Sequence, residues 1–133
     1  MALILPSRTV SVSIECPPST VYEYVSDPEN LLKWATAFCR SIRQSGAGWV
    51  VDTPQGPMTV RFIGRNELGV VDHYVNPAPG VEVYVPMRVV SNGPGSEVML
   101  TLFRRPGMSE QQHAADVGLV EQDLRHLKDL LEG

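Results

Sequence analysis

Between Phe38 and Arg104 the chain holds six short β-forming stretches: Phe38–Gln44, Gly48–Thr53, Met58–Gly64, Gly69–Asn76, Val81–Val90 and Glu97–Arg104. The links between them are short and rich in turn residues, as in Ser45-Gly46-Ala47, Pro54-Gln55-Gly56-Pro57, Pro77-Ala78-Pro79-Gly80 and Ser91-Asn92-Gly93-Pro94-Gly95. A parallel connection needs a crossover of about a dozen residues or more, so these links permit only an antiparallel meander. Pro86 cannot donate to a ladder, which pushes Val81–Val90 toward a sheet edge or a bulge.

Both flanks of the meander are equally legible. Thr9–Glu15 alternates Val10, Val12 and Ile14 with Thr9, Ser11 and Ser13, the period of a half-buried strand. Cys16-Pro17-Pro18 ends it, and Ser19–Ser26 is predicted to be a short helix. Asp27-Pro28-Glu29 then has the pattern of an N-cap, a first-turn proline and a first-turn acid, starting a second short helix that ends near Trp34. After Pro106-Gly107, Ser109 and Gln112 form a capping-box pattern. The stripe Val117, Val120, Leu124, Leu127 and Leu131 carries an amphipathic helix to about Glu132.

These 133 residues are read as one domain spanning 1–133, with 43% hydrophobic and 20% charged residues. The net charge of -4 speaks against nucleic acid as a partner, because phosphate binding needs a basic surface. Cys16 and Cys39 form no CxxC or zinc spacing, and His113 and His126 stand too far apart on one helix to share an ion, so neither metal nor cofactor is expected. The opening residues Met1–Pro6 lack a basic signal-peptide region, and no apolar run reaches the roughly 18 residues of a membrane span. The expected location is therefore cytoplasmic, as a monomer or homodimer, with the stretches near Met1–Pro6 or Val81–Val90 as candidate pairing edges.

The segments "VSVSIECPPSTVYEYVSDPENLLKW", "LGVVDHYV" with "VYVPMRVV", and "TLFRRPGMS" leading into "DLRHLKDLLE" resemble the START/Bet v 1-like (SRPBCC) superfamily, in its bacterial polyketide cyclase/dehydrase-like branch. The resemblance spans nearly the whole chain and lies in architecture, with no catalytic motif in it. It implies an α+β helix-grip fold: a curved antiparallel sheet of seven strands, two short helices, and a long C-terminal helix. It also implies a ligand site between sheet and helix. Packing physics leads to the same place, since one helix laid across a strongly curved sheet leaves a gap, and an apolar gap takes apolar ligands.

Strand parity sorts the candidate wall residues. Trp49 and Val51 share a face, as do Met58, Val60 and Phe62; Trp34, Val117, Val120 and Leu124 complete an apolar lining. Around residues 70–90 two parities stay open. In one, His73 faces inward beside Val71 and Val75 and could serve as a general acid or base. In the other, Asp72 and Tyr74 face inward, with Tyr84 and Arg88 sharing a parity in their own strand. An inward Arg88 would anchor a ligand carboxylate; an outward Asp72 and Arg88 would make a cross-strand pair on the wet face. Asp116 and Asp123, seven apart, could flank the cavity mouth, and Gly118 could admit a close neighbour or permit a bend.

Three functions fit. The first is binding of a small hydrophobic molecule, a lipid, polyketide-like or aromatic metabolite, in the cavity. The second is a cyclase or dehydratase with His73 as acid/base and Arg88, Asp72 or Tyr74 orienting an oxygen-rich substrate. The third is a ligand-free interaction module with an exposed apolar patch near Pro77-Ala78-Pro79 or Leu3-Ile4-Leu5.

Overall fold

A computed structural model describes residues 4–46 and 48–133. The elements follow the expected order: β1 (Ser7–Ile14), α1 (Pro18–Val25), a 3-10 turn (Pro28–Asn30), α2 (Leu31–Trp34), β2 (Ser41–Ser45), β3 (Gly48–Thr53), β4 (Gly56–Phe62), β5 (His73–Ala78), β6 (Val81–Val85), β7 (Met87–Asn92), β8 (Gly95–Phe103) and α3 (Glu110–Glu132). The predicted caps form. Asp27 Oδ1 accepts from the Glu29 amide at 3.0 Å, and Ser109 Oγ accepts from the Gln112 amide at 3.0 Å. The second half of the expected capping box does not close, because the Gln112 side chain donates to Asp116 Oδ1 at 2.9 Å instead.

All strand pairs are antiparallel, in the orders β1-β8-β7 and β2-β3-β4-β5-β6. Among the described residues eight strands stand where seven were expected, because Pro86 divides Val81–Val90. It carries no N–H for the ladder, so β6 stays with β5 while β7 turns to pair with β8. The segment Gly69–Asp72 joins the two sheets. The Val71 amide donates to the Met87 carbonyl (2.8 Å) and the Val89 amide to the Gly69 carbonyl (2.8 Å), while Ile63 N on the other side donates to Asp72 O (3.1 Å). Asn66 braces the loop before it. Its Oδ1 accepts from Leu68 N and Val70 N, and its own amide donates to the Tyr22 hydroxyl at 2.8 Å.

Helix α3 lies on β1 and β8 and against α2. Val117, Leu124 and Leu127 are fully buried, and the core continues through Ile14, Val21, Val25, Val98 and Trp34. This contact holds α3 over one half of the sheet. Over β4–β6 several inward residues are short valines, Val60, Val75, Val83 and Val85, and space remains beneath the helix.

Gly118 does not mark a close approach. A Cβ placed there meets nothing within 4 Å. Glycine in a helix interior costs about 1 kcal/mol relative to alanine, so Gly118→Ala should stabilise the protein by about 0.5–1 kcal/mol. Thermal denaturation would register this as a raised Tm; a lowered Tm would mean that the bare backbone at this position is needed.

Candidate functional site

The space beneath α3 is a cavity of about 200 Å³. Its apolar wall comes from Trp34 and Phe38 around α2, Met58, Val60 and Phe62 of β4, Val75 of β5, Val83 and Val85 of β6, and Leu100, Leu102 and Phe103 of β8. Thr53, Pro54 and Gln55 at the β3–β4 turn and Arg105 and Met108 before α3 also border it. An apolar cavity of about 150 Å³ holds benzene, so this one suits a compact ligand of one or two rings.

The parity question at residues 70–76 has a definite answer. His73 borders the cavity together with Val75, opposite Phe62 on the neighbouring strand, and the two rings lie 4.9 Å apart. Its Nδ1 lies 3.0 Å from the Val71 carbonyl oxygen. A carbonyl only accepts, so Nδ1 donates and the neutral ring keeps its lone pair on Nε2. Burial pushes the imidazole below the ordinary histidine range, against the pull of the Val71 hydrogen bond and the nearby Asp72 charge.

Asp72, Tyr74 and Arg88 lie on the opposite face and do not line the cavity. Asp72 is buried at the seam between β6 and β7. It accepts from Arg88 Nε (3.1 Å) and Nη2 (3.0 Å), from the Tyr84 hydroxyl (2.6 Å) and from the Met87 amide (2.9 Å). The inward-anchor reading of Arg88 is thereby corrected: its guanidinium is bound to Asp72, a partner that satisfies both oxygens without desolvating a charge in the cavity. Tyr84 borders the cavity, but its hydroxyl goes to Asp72 and its ring stacks on Tyr74 at 5.4 Å, beneath which Arg61 lies 4.7 Å from the Tyr74 centroid.

Several wall candidates move as well. Trp34, Val60, Phe62 and Val120 line the cavity. Val51, Val117 and Leu124 are buried in the core and do not line the cavity. Trp49 has the inward parity but sits at the far end of β3, in an open cleft with Glu23, Ser26 and Arg65.

Sequence reasoning placed Val120 in the wall and Asp116 and Asp123 at the cavity mouth, but missed His113 and the burial of Asp123. His113, Asp116, Val120 and Asp123 fall at helical spacing on one face and all border the cavity. His113 is buried, with Nε2 3.0 Å from the Leu102 carbonyl oxygen. Asp123 is only 5% exposed, and its Oδ1 accepts from the Ala37 amide at 2.8 Å. Burial raises the Asp123 pKa, while the Ala37 and Phe38 amides and the charge of His126 pull the other way. The 3.6-residue spacing of these polar groups was readable, but a polar stripe on a helix ordinarily faces water. Among the described residues no group of three or more His, Cys, Asp or Glu side chains is placed to hold a metal ion.

The family of polyketide cyclase / dehydrase and lipid transport proteins matches residues 6–132. This chain belongs to that family. No protein of curated function matches the sequence. Among solved structures, the XoxI protein from Bacillus cereus is similar at a TM-score of 0.78 and 18% identity, over 96% of each chain. The structure of Ara h 8.0201 is similar at 0.68 and 12% identity, over 96% of this chain and 98% of the other. The Aha1 protein from Colwellia psychrerythraea, solved as a dimer, reaches 0.74 at 14% identity, over 96% and 97%. At such identities the likeness is one of fold, and that fold is the Bet v 1-like helix grip. No described helix is long and apolar enough to cross a membrane.

Proposed function

We propose that this protein, acting as one domain over residues 1–133, binds a small hydrophobic molecule in the cavity between α3 and the sheet. One observation carries the reading: an apolar space of about 200 Å³, walled by Trp34, Phe38, Phe62 and Phe103, remains open beneath a helix that is otherwise tightly packed. Membership of a family of cyclases, dehydrases and lipid transporters supports it. A cyclase or dehydratase built on His73, Arg88, Asp72 and Tyr74 is less favoured, because of those four only His73 borders the cavity, and acid–base work on a substrate needs groups that converge.

Native mass spectrometry of gently purified protein should reveal a co-purified molecule, or the protein should enhance the fluorescence of a hydrophobic probe dye. Val75→Trp places an indole into the cavity and should abolish dye binding while the circular dichroism spectrum stays that of the parent. A clean mass together with no dye response from the parent would overturn the reading and move the weight to an interaction module. Of the surfaces that module would use, Pro79 and Ala78 are exposed, while Leu3 lies outside the described residues.

A further inference from the structure

The polar groups bordering the cavity interior are biased toward accepting hydrogen bonds. His73 has spent its N–H on the Val71 carbonyl and makes no other side-chain hydrogen bond among the described residues, leaving Nε2 as an acceptor. His113 directs Nε2 to the Leu102 carbonyl in the same manner. The Thr53 hydroxyl already donates to the Gly56 carbonyl at 2.7 Å. Asp116 and Asp123 add two carboxyl groups, and among the described residues neither pairs with a Lys, Arg or His side chain. The Trp34 indole N–H is buried with no partner and has no open surface, so a ligand reaches it only if the wall shifts. Gln55 and Arg105 also border the cavity, from the loops before β4 and α3.

We propose that the cavity selects a compact aromatic molecule that carries a hydrogen-bond donor, a hydroxyl or an amine, received by His73 Nε2 or by the Asp123 carboxyl group. This rests on the cavity-binding reading and adds to it the chemistry of the ligand. A hydrocarbon would fill the apolar wall but leave buried acceptors without partners, which is costly. An ether or ketone would set lone pair against lone pair, a repulsive contact that supplies discrimination. A donor satisfies the acceptors and leaves its ring to the aromatic walls.

The test is isothermal titration calorimetry of the whole protein at pH 7 with four probes on one ring frame: 2-naphthol, 2-naphthylmethylamine, 2-methoxynaphthalene and naphthalene. At least one donor probe should bind about tenfold or more tightly than the methyl ether. The naphthol and amine arms separate a neutral donor from a cationic one. His73→Phe should bring naphthol to within about threefold of the ether, and Asp123→Asn, which keeps an oxygen for the Ala37 amide, should weaken the amine. The comparison among probes on the parent protein stands even if a variant fails to fold. Equal binding of the ether and both donors would overturn the donor preference while leaving a cavity that binds hydrophobic molecules. Absence of binding by all four, with no response to the probe dye, would overturn both.

Discussion

Gly69→Ala is expected to destabilise the protein by about 3–4 kcal/mol, one of the largest effects of any single substitution outside the core. Gly69 has φ +73°, a conformation that an L side chain adopts at a penalty of roughly 1–2 kcal/mol. The heavier part is contact. A Cβ here would lie 2.1 Å from the Val89 carbonyl oxygen, a backbone atom that cannot swing aside. The lead-in to β5 would have to leave β7, taking with it the Val89–Gly69 and Val71–Met87 hydrogen bonds, each worth about 1 kcal/mol. Gly80→Ala supplies the control, because φ there is +76° but nothing lies within 4 Å of the added Cβ. Urea denaturation of the two variants separates the conformational cost from the clash. A difference below about 1 kcal/mol would mean that the seam between the sheets does not depend on this close approach.

Asp72→Ala should cost about 3 kcal/mol, by removing one carboxylate that accepts four hydrogen bonds from three residues. The Met87 amide would be left buried without a partner, and Arg88 and Tyr84 would lose the group that pins them across the Pro86 break. The Arg88 side chain is 45% exposed, which keeps the figure below that of a fully buried pair. Asp72→Asn keeps one acceptor and should cost about half as much. The same site predicts a pH dependence. Burial by itself would raise the Asp72 pKa, but hydrogen bonds from Arg88, Tyr84 and Met87 and the Arg88 charge outweigh it and lower the pKa from 3.8 to about 2. A depressed folded pKa means that ionised Asp72 stabilises the protein above about pH 4 and that this contribution fades as the pH falls to about 2. Stability measured across that window should fall less steeply in Asp72→Asn than in the parent. Parallel slopes would show that the carboxylate is not held in its ionised form by these partners.

Much of this architecture can be read from local patterns. The alternation in β3 and β4 correctly set Val60 and Phe62 inward, the turn residues set the antiparallel order, and Pro86 marked Val81–Val90 as an edge or bulge, though not as the break between β6 and β7. Residues 70–76 resisted such reading for a physical reason. Val71, His73 and Val75 alternate with Val70, Asp72 and Tyr74, so both faces mix apolar with polar groups and neither parity is cheaper by composition. The tie is broken by partners distant in sequence: Asp72 meets Tyr84, Met87 and Arg88 on the outer face, and His73 is left to the cavity. The burial of His113 and Asp123 on α3 was hidden similarly. His113 and Asp123 are buried because the Leu102 carbonyl and the Ala37 amide reach them, and those groups belong to other elements.

What the sequence by itself determined is the element order, the antiparallel meander and the long capped helix, because turns, caps and hydrophobic periods act over a few residues. Only the tertiary structure decided which polar side chains border the cavity. A buried polar group is tolerated only where hydrogen-bond partners meet it, and those partners are assembled by the fold.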